Sequence, residues 1–333
     1  MQITKVIFMA KKFKTDIFAE TYKISGENKS SSLGKYYFDF EAEPGKLNKL
    51  ISAFDDNGIP LNSAYIDVED KKLNYYPISI GQYGLAVYHQ FLIDGSEESK
   101  AYFLKIADWF MCHYSEDNKT GIYWLSKVPK PEYKVFNPWK SAFAQSRAIS
   151  ILLRAWQLSG NEDYLTISKK ALLPFTLDIQ DEGVTAWRNA GNPFYEEYVA
   201  SEPTMVLDGH IFSLFGLYDF VRAVSVNIDR KNHELAKQLF ELGIKSLKYW
   251  LPQYDMGYWM RFNLCKMEHY PKTDPCTISY LRLLRTQLDV LLDLTGEAVF
   301  QIYSWKLKKY DRLINILRMY PVKYRALKRL KRL

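Results

Sequence analysis

Cysteine is scarce: Cys112, Cys265 and Cys276 are the only three in 333 residues. The number is odd and no CxxC pair occurs. That argues against a disulfide framework and a thiolate metal site, and fits a reducing compartment. Histidine is nearly as rare, with five in all. His210 lies in an apolar run with no second histidine at ligand spacing, so it reads as a core residue, and no metal is expected. No apolar run approaches the length needed to span a bilayer. The opening "MQITKVIFMAKKFKTD" has only a short apolar stretch, broken by Lys5. A signal peptide is not expected, the expected location is the cytoplasm, and the sequons at Asn28 and Asn118 carry no weight. GxGxxG, a Walker loop and a serine nucleophile elbow are all missing, and no cofactor is expected.

Aromatic residues, by contrast, are plentiful: 25 Tyr, 19 Phe and 8 Trp, in a chain that is 47% hydrophobic. Such a chain can bury a sizeable core. The rings fit two uses, a helical core packed on aromatic side chains or a cleft offering sugars an apolar face and phenol hydroxyls. Net charge is +7, but Trp305–Leu333 alone holds eleven Lys or Arg against one Asp and contributes +10. The remainder carries −3, so the body is not basic and no nucleic-acid partner is expected.

Along the chain, "SGENKSSSLGK" reads as a loop and "KLNKLISAFDDNG" as a short helix ending near Gly58. "GIPLNSAYIDVEDKKLNYYPISI" reads as extended or hairpin-like, punctuated by Pro60 and Pro77. A pattern then recurs four times: a nearly apolar helix, a polar break, and a helix with one polar face. The repeats begin at "IGQYGLAVYHQF", "SAFAQSRAISILL", "TMVLDGHIFSLFG" and "ISYLRLLRTQLDV" and span roughly 60 to 75 residues each. Stacked hairpins of this kind predict an all-α dominated fold, an (α/α) toroid with buried inner helices and half-exposed outer ones. The expected boundaries are a small mixed N-terminal extension (1–57), the helical domain (58–310) and a basic amphipathic tail (311–333).

The loops leading into the inner helices would converge on one mouth. One of them, "FYEEYVASEPTMVLDGHIFSLFGLYDF", packs Tyr195, Glu196, Glu197 and Tyr198 together ahead of an apolar helix. Taken in order with "YYPISIGQYGL", "SAFAQSRAISILLRAWQL" and "LPQYDMGYW", it resembles the C-terminal helical domain of D-glucuronyl C5-epimerase. The resemblance runs from about Gly58 to Lys309. It implies inversion of glucuronate to iduronate at C5 within an acidic polysaccharide, without metal or cofactor. It also implies that Glu197 and Tyr280 are the opposed proton-transfer pair, with Tyr198 as an orienting phenol. Gln82, Tyr83, Gln145 and Tyr195 would line the cleft. Two positions depart from the family pattern: Phe262 and Cys265 stand where the family has a tyrosine and an arginine. Arg261, Arg282 or Tyr258 are the expected substitutes.

The chemistry agrees with these residue types. Removing a proton α to a carboxylate needs acid/base groups on both ring faces and cations or hydrogen-bond donors on the carboxylate oxygens. Two rival readings remain open, a uronate lyase and a non-catalytic glycan-binding protein. Glu196 and Glu197 also admit a purely structural role, complementing a helix N-terminus, and Asp208 reads as an N-cap. The tail places Leu313, Ile316, Leu317 and Tyr320 on one stripe and, after a break at Pro321, Leu327, Leu330 and Leu333 on another. An anionic membrane surface reached through 311–333 and a homodimer are the further expected partners.

Overall fold

The computed structural model describes residues 17, 22–25, 28–40, 51–63, 68, 72–189 and 191–332. They fall into two compact units, Ser25–Tyr249 and Trp250–Leu333 with Met1–Ile24.

The unit Ser25–Tyr249 is built of consecutive helix pairs: α1 (Pro77–Asp94) with α2 (Glu97–Cys112), α3 (Ala142–Ser159) with α4 (Glu162–Lys170), and α5 (Leu207–Ala223) with α6 (Val226–Tyr254). Local chemistry sets their ends. α1 starts at Pro77, whose missing N–H costs nothing there, and stops at left-handed Gly95. Ser96, Ser141 and Asn161 cap α2, α3 and α4 by accepting from Ser99, Ala144 and Asp163 N–H groups. α6 kinks at Asp229, whose backbone is non-helical and whose carboxylate accepts from the Asn232 N–H at 3.0 Å.

α1, α3 and α5 are buried almost all round, while α2, α4 and α6 are half exposed. α3 packs between α1 and α5. This is the expected hairpin layering of an α/α toroid. The approach of α5 to α3 is close enough to require a glycine, since a Cβ on Gly216 would lie 2.6 Å from the Cα of Ser146.

The layer is tied by a buried ion cluster. Asp219 on α5 accepts from Arg154 of α3 at 2.8 Å, from Arg222 at 2.8 Å and from the Tyr37 hydroxyl at 2.9 Å. Burial pushes its carboxyl up, but the two guanidinium charges overcome this and hold it at about 2. Arg154 also donates to the carbonyl of Gly34. The run Leu33, Tyr36, Tyr37, Phe38 and Phe40 is buried with it, and Phe38 packs on Phe212 and Phe215. Residues expected to form a peripheral extension therefore supply core to the hairpins.

One predicted helix is a strand. Within "KLNKLISAFDDNG", Ile51–Phe54 is β1 of an antiparallel sheet with β2 (Pro60–Asn62) and β3 (Asn74–Tyr75). Residues 46–50 lie outside the described residues. The reason is tertiary: Asp55 accepts from the N–H groups of Asn57 and Ile59 and from the Tyr75 hydroxyl, closing a turn onto left-handed Gly58. Two further hairpins, β4 (Ser115–Asp117) with β5 (Gly121–Tyr123) and β6 (Thr185–Ala186) with β7 (Phe194–Tyr195), lie in the connections.

The unit containing Trp250–Leu333 carries α7 (Ile278–Thr295), α8 (Ala298–Tyr310) and α9 (Leu313–Arg329). α7 and α8 pack as a hairpin, turned at left-handed Gly296. α9 runs through Pro321 without the expected break. Pro321 is exposed, so water can satisfy the carbonyl one turn back that loses its N–H partner. The expected docking stripe is also displaced. Ile316, Met319 and Ala326 are buried, whereas Leu313 and Leu317 are 62% and 55% exposed.

Removing the Asp219 carboxylate strands two buried guanidiniums. Asp219→Ala is expected to lower stability by about 3–5 kcal/mol, read as a drop in the urea midpoint at unchanged m-value. A loss below about 1 kcal/mol would remove this cluster from the framework.

Candidate active site

The chain reaches the "YEEY" stretch through β7, where Tyr195 pairs with Thr185. Two backbone bonds then fix Glu196: its N–H donates to Val184 and its carbonyl accepts from Ala142, the first residue of α3. Its carboxylate turns inward and accepts from the Thr204 N–H (2.9 Å), the Thr204 hydroxyl (2.6 Å) and the Met205 N–H (3.0 Å). Met205 has φ 53, a left-handed conformation that a non-glycine residue adopts only when held there. Glu196 is the clamp that holds it.

Glu197 differs in one respect. It is also buried, but its Oε2 has no hydrogen-bond partner. The carboxylate lies on the first turn of α5. A Cβ on Gly209 would fall 2.6 Å from this same oxygen, so glycine is required there. Burial pushes the Glu197 carboxyl up to about 7, against the hydrogen bond from Tyr198 and the charge of Lys130, with Glu132 adding to the rise. The neighbouring Asp208 is raised well above the usual carboxylate range by burial and then by the Glu197 charge, while the N–H groups of Asp208 and Gly209 pull the other way. Asp208 is not the N-cap, because Val206 occupies that position. Asp208 lies inside the first turn, where partial positive charge favours a carboxylate and the absence of water opposes it.

Tyr198 is enclosed. Its ring stacks on Tyr133 at 5.3 Å, tilts against Trp139 at 5.1 Å and carries the Lys130 ammonium 4.2 Å from its centre. Lys130 pairs with Glu132 at 3.0 Å, each only 5% exposed. One lysine thus stands among three buried carboxyl groups, Glu132, Glu197 and Asp208, and cannot hold all three ionised. Among the described residues no three His, Cys, Asp or Glu side chains converge as metal ligands would.

Trp139 connects this cluster to a cleft of about 420 Å³, which it lines with Tyr123, Phe136, Lys134 and Lys140. Phe136 is 66% exposed, and Lys140 lies 3.7 Å from the centre of the Tyr123 ring. The cleft offers aromatic faces and cations together, within the size range of small-ligand sites. None of Lys130, Glu132, Tyr133, Trp139 or Asp208 was expected as a site residue. The signal was the dense alternation of Lys, Pro and aromatics in "VPKPEYKVFNPWK".

The other expected residues divide between the units. Tyr195 is fully buried and donates its hydroxyl to Leu239, and its N–H reaches His210, itself buried and bonded to Gly243. His210 is the expected core residue, and Tyr195 packs with it. Gln145 spends its amide on Ile122 and Ala171 and its oxygen on the Trp124 N–H, which ties α3 to β5 and leaves no group for a ligand. Tyr83 is buried on α1 beside Phe54 and Tyr102, and Gln82 is half buried next to it.

Tyr280, Tyr258, Arg261 and Arg282 belong to the unit with Trp250–Leu333. Tyr280 is in the first turn of α7, 37% exposed, its ring edge-to-face with Phe262 at 5.3 Å. The expected substitutes for the missing arginine are already engaged. Arg282 pairs with Asp311 at 2.8 Å, and Arg261 donates to Lys272 and Thr273. Tyr258 lies beneath the guanidinium of Arg318 at 4.2 Å.

Residues 116–309 match the sequence profile described as D-glucuronyl C5-epimerase C-terminus. A D-glucuronyl C5-epimerase of Caenorhabditis elegans is 33% identical over 190 residues, 54% of this chain and 30% of the worm protein. An uncharacterised protein of Methanocaldococcus jannaschii is 27% identical over 208 residues, 62% of this chain and 63% of its own length. A D-mannose isomerase crystal structure, 15% identical, superposes with a TM-score of 0.42 over 71% of this chain and 58% of its own, too loosely to bear on chemistry. The chain therefore spans less than two thirds of each of these proteins. The profile match covers more than half of this chain and takes in Lys130, Glu197, Tyr198, Asp208 and Tyr280, and on that ground the chain belongs to the D-glucuronyl C5-epimerase C-terminus family.

Proposed function

We propose that this protein is a carbohydrate epimerase that inverts C5 of a uronate unit in an acidic polysaccharide or oligosaccharide. The observation that carries the reading is Glu197: a buried carboxyl pushed up to about 7, with one oxygen uncommitted, hydrogen-bonded to Tyr198, which contacts Trp139 of a ring-lined cleft that also holds Lys134 and Lys140. A general base works best with a pKa near the operating pH, and desolvation brings Glu197 there.

In this reading Glu197 takes the C5 proton on one face of the sugar ring. Tyr198, pinned between Tyr133, Trp139 and Lys130, hydrogen-bonds the Glu197 carboxyl, whose uncommitted oxygen lies against the first turn of α5. Asp208, held neutral, leaves only Glu197 and Glu132 to share the charge of Lys130. As the proton leaves, charge develops on the uronate carboxylate, and Lys134 and Lys140 of the cleft are its proposed cationic counterparts, in place of the arginine that Cys265 replaces. Tyr280 keeps the proton-transfer role that the family resemblance gives it, with Phe262 packed edge-to-face on its ring and unable to transfer protons.

Glu197→Gln is expected to slow C5–deuterium exchange on a heparosan-like polymer in heavy water by roughly 100- to 10,000-fold. It should also raise the melting temperature at pH 8. The sign follows from the raised carboxyl. Between its ordinary value of 4.5 and about 7 the folded state binds more protons than the unfolded one, so stability falls as pH rises through that window and the neutral amide escapes the loss. Glu196→Ala should do the reverse, lowering stability by about 1–3 kcal/mol because the buried Thr204 and Met205 N–H groups then lose their acceptor. Normal exchange in Glu197→Gln would return the whole stretch to a structural role.

Tyr280→Phe is expected to cost exchange a similar roughly 100-fold or more, with an unchanged melting curve because the side chain is exposed. Retention of more than about half the wild-type rate would take Tyr280 out of the reaction. Appearance of ultraviolet absorbance from an unsaturated uronate, in place of exchange, would turn the assignment to a lyase.

A further inference from the structure

α9 lies beyond the residues that match the family, and its two faces differ sharply. The inner face is fixed within its own unit: Ile316, Met319 and Ala326 are buried, Lys323 pairs with Asp274 at 2.6 Å, and Arg329 donates to the carbonyls of Glu268 and His269. The outer face is not what a solvated helix shows. Leu313, Leu317 and Tyr324, at spacings of four and seven residues, fall on one line and are 62%, 55% and 47% exposed. Ile314, 64% exposed, and Pro321 widen that line. Arg318, Arg325 and Lys328 flank it and are also exposed. From Arg312 to Leu333 there is no Asp or Glu at all.

A single exposed leucine means little. An apolar line bordered on the same face by uncompensated cations is the pattern of a helix lying in a membrane interface, rings and leucines among the acyl chains and basic heads at the phosphates. We infer that the outer face of α9 docks on an anionic lipid surface. The charge selects an anionic partner. The apolar line selects lipid over a polyanionic sugar chain, which has carboxylates for the arginines and nothing for Leu313 and Leu317. Docking is peripheral, since no helix among the described residues is long and apolar enough to cross a membrane.

The test is co-sedimentation of the full chain with vesicles of phosphatidylcholine alone or with about 30% phosphatidylglycerol, at about 50 and about 500 mM NaCl. The protein should pellet with the anionic vesicles at low salt, not with the neutral ones, and weaken at high salt. Arg325→Glu with Lys328→Glu should weaken binding roughly 30-fold or more, at about fivefold for each basic residue lost. Leu313→Gln with Leu317→Gln should weaken it at least about tenfold at the same salt. All four positions face outward, so melting curves should match the parent. Failure of the parent protein to pellet with anionic vesicles at low salt overturns the inference. So does a Leu313/Leu317 variant that binds as well as the parent, particularly if a heparosan-like polymer binds through Arg325 and Lys328, since the face then serves the polymer.

Discussion

Asp219 joins α3 to α5 with a single carboxylate, and the site depends on where that joint sets the two helices. Arg154 and Arg222 keep Asp219 ionised without water. The register of α3 against α5 follows, tight enough that Gly216 meets Ser146 backbone to backbone. At the other ends of these helices the same register appears as chemistry. The first N–H of α3 holds the carbonyl of Glu196, and the first turn of α5 presents Gly209 to the carboxylate of Glu197. A shift of one helix against the other would move the clamp and the candidate base apart.

Three buried carboxylates illustrate how surroundings, not residue type, decide protonation. Asp219 has two guanidiniums and stays at about 2. Glu196 has three hydrogen-bond donors and the charge of Arg188, and burial still raises it to about 7. Glu197 shares one lysine with Glu132 and Asp208, and is raised as far. Only in Glu197 is an oxygen left over. An uncommitted buried oxygen costs stability, and a fold retains such a cost where the group is used. The adjacent glutamates of one loop thus differ: the Glu196 carboxylate is fully engaged, and one oxygen of Glu197 is not.

The departures from the family pattern gain a physical setting. Phe262 packs edge-to-face on Tyr280, and Arg261 and Arg282 are held by neighbours in their own unit. Both of these arginines are thus committed within their own unit. The lysines at positions 134 and 140 line a cleft with Phe136 and Trp139, in a stretch where sequence comparison with the family's arginine would not have looked.

By itself the sequence determined whatever depends on a few adjacent residues. Helix pairs were legible from apolar periodicity, their ends from Pro77, Gly95, Ser96, Ser141 and Gly160, and His210 as core from its apolar flanks. The prominence of Glu197 and Tyr198 was legible as an unusual cluster matching a family motif. Tertiary structure decided what depends on partners far along the chain. Ile51–Phe54 has an apolar spacing that suits a helix, yet Asp55 and Tyr75 make it a strand. Asp208 looks like a cap until its burial against Glu197 makes it a proton holder. Gln145 and Tyr195 read as cleft residues until their polar atoms are found spent on distant backbone. Pro321 reads as a helix break, yet the helix continues through it. Periodicity states that a residue has an apolar neighbourhood, but burial, charge and hydrogen-bond supply belong to the assembled neighbourhood, and they alone separate Glu197 from Glu196.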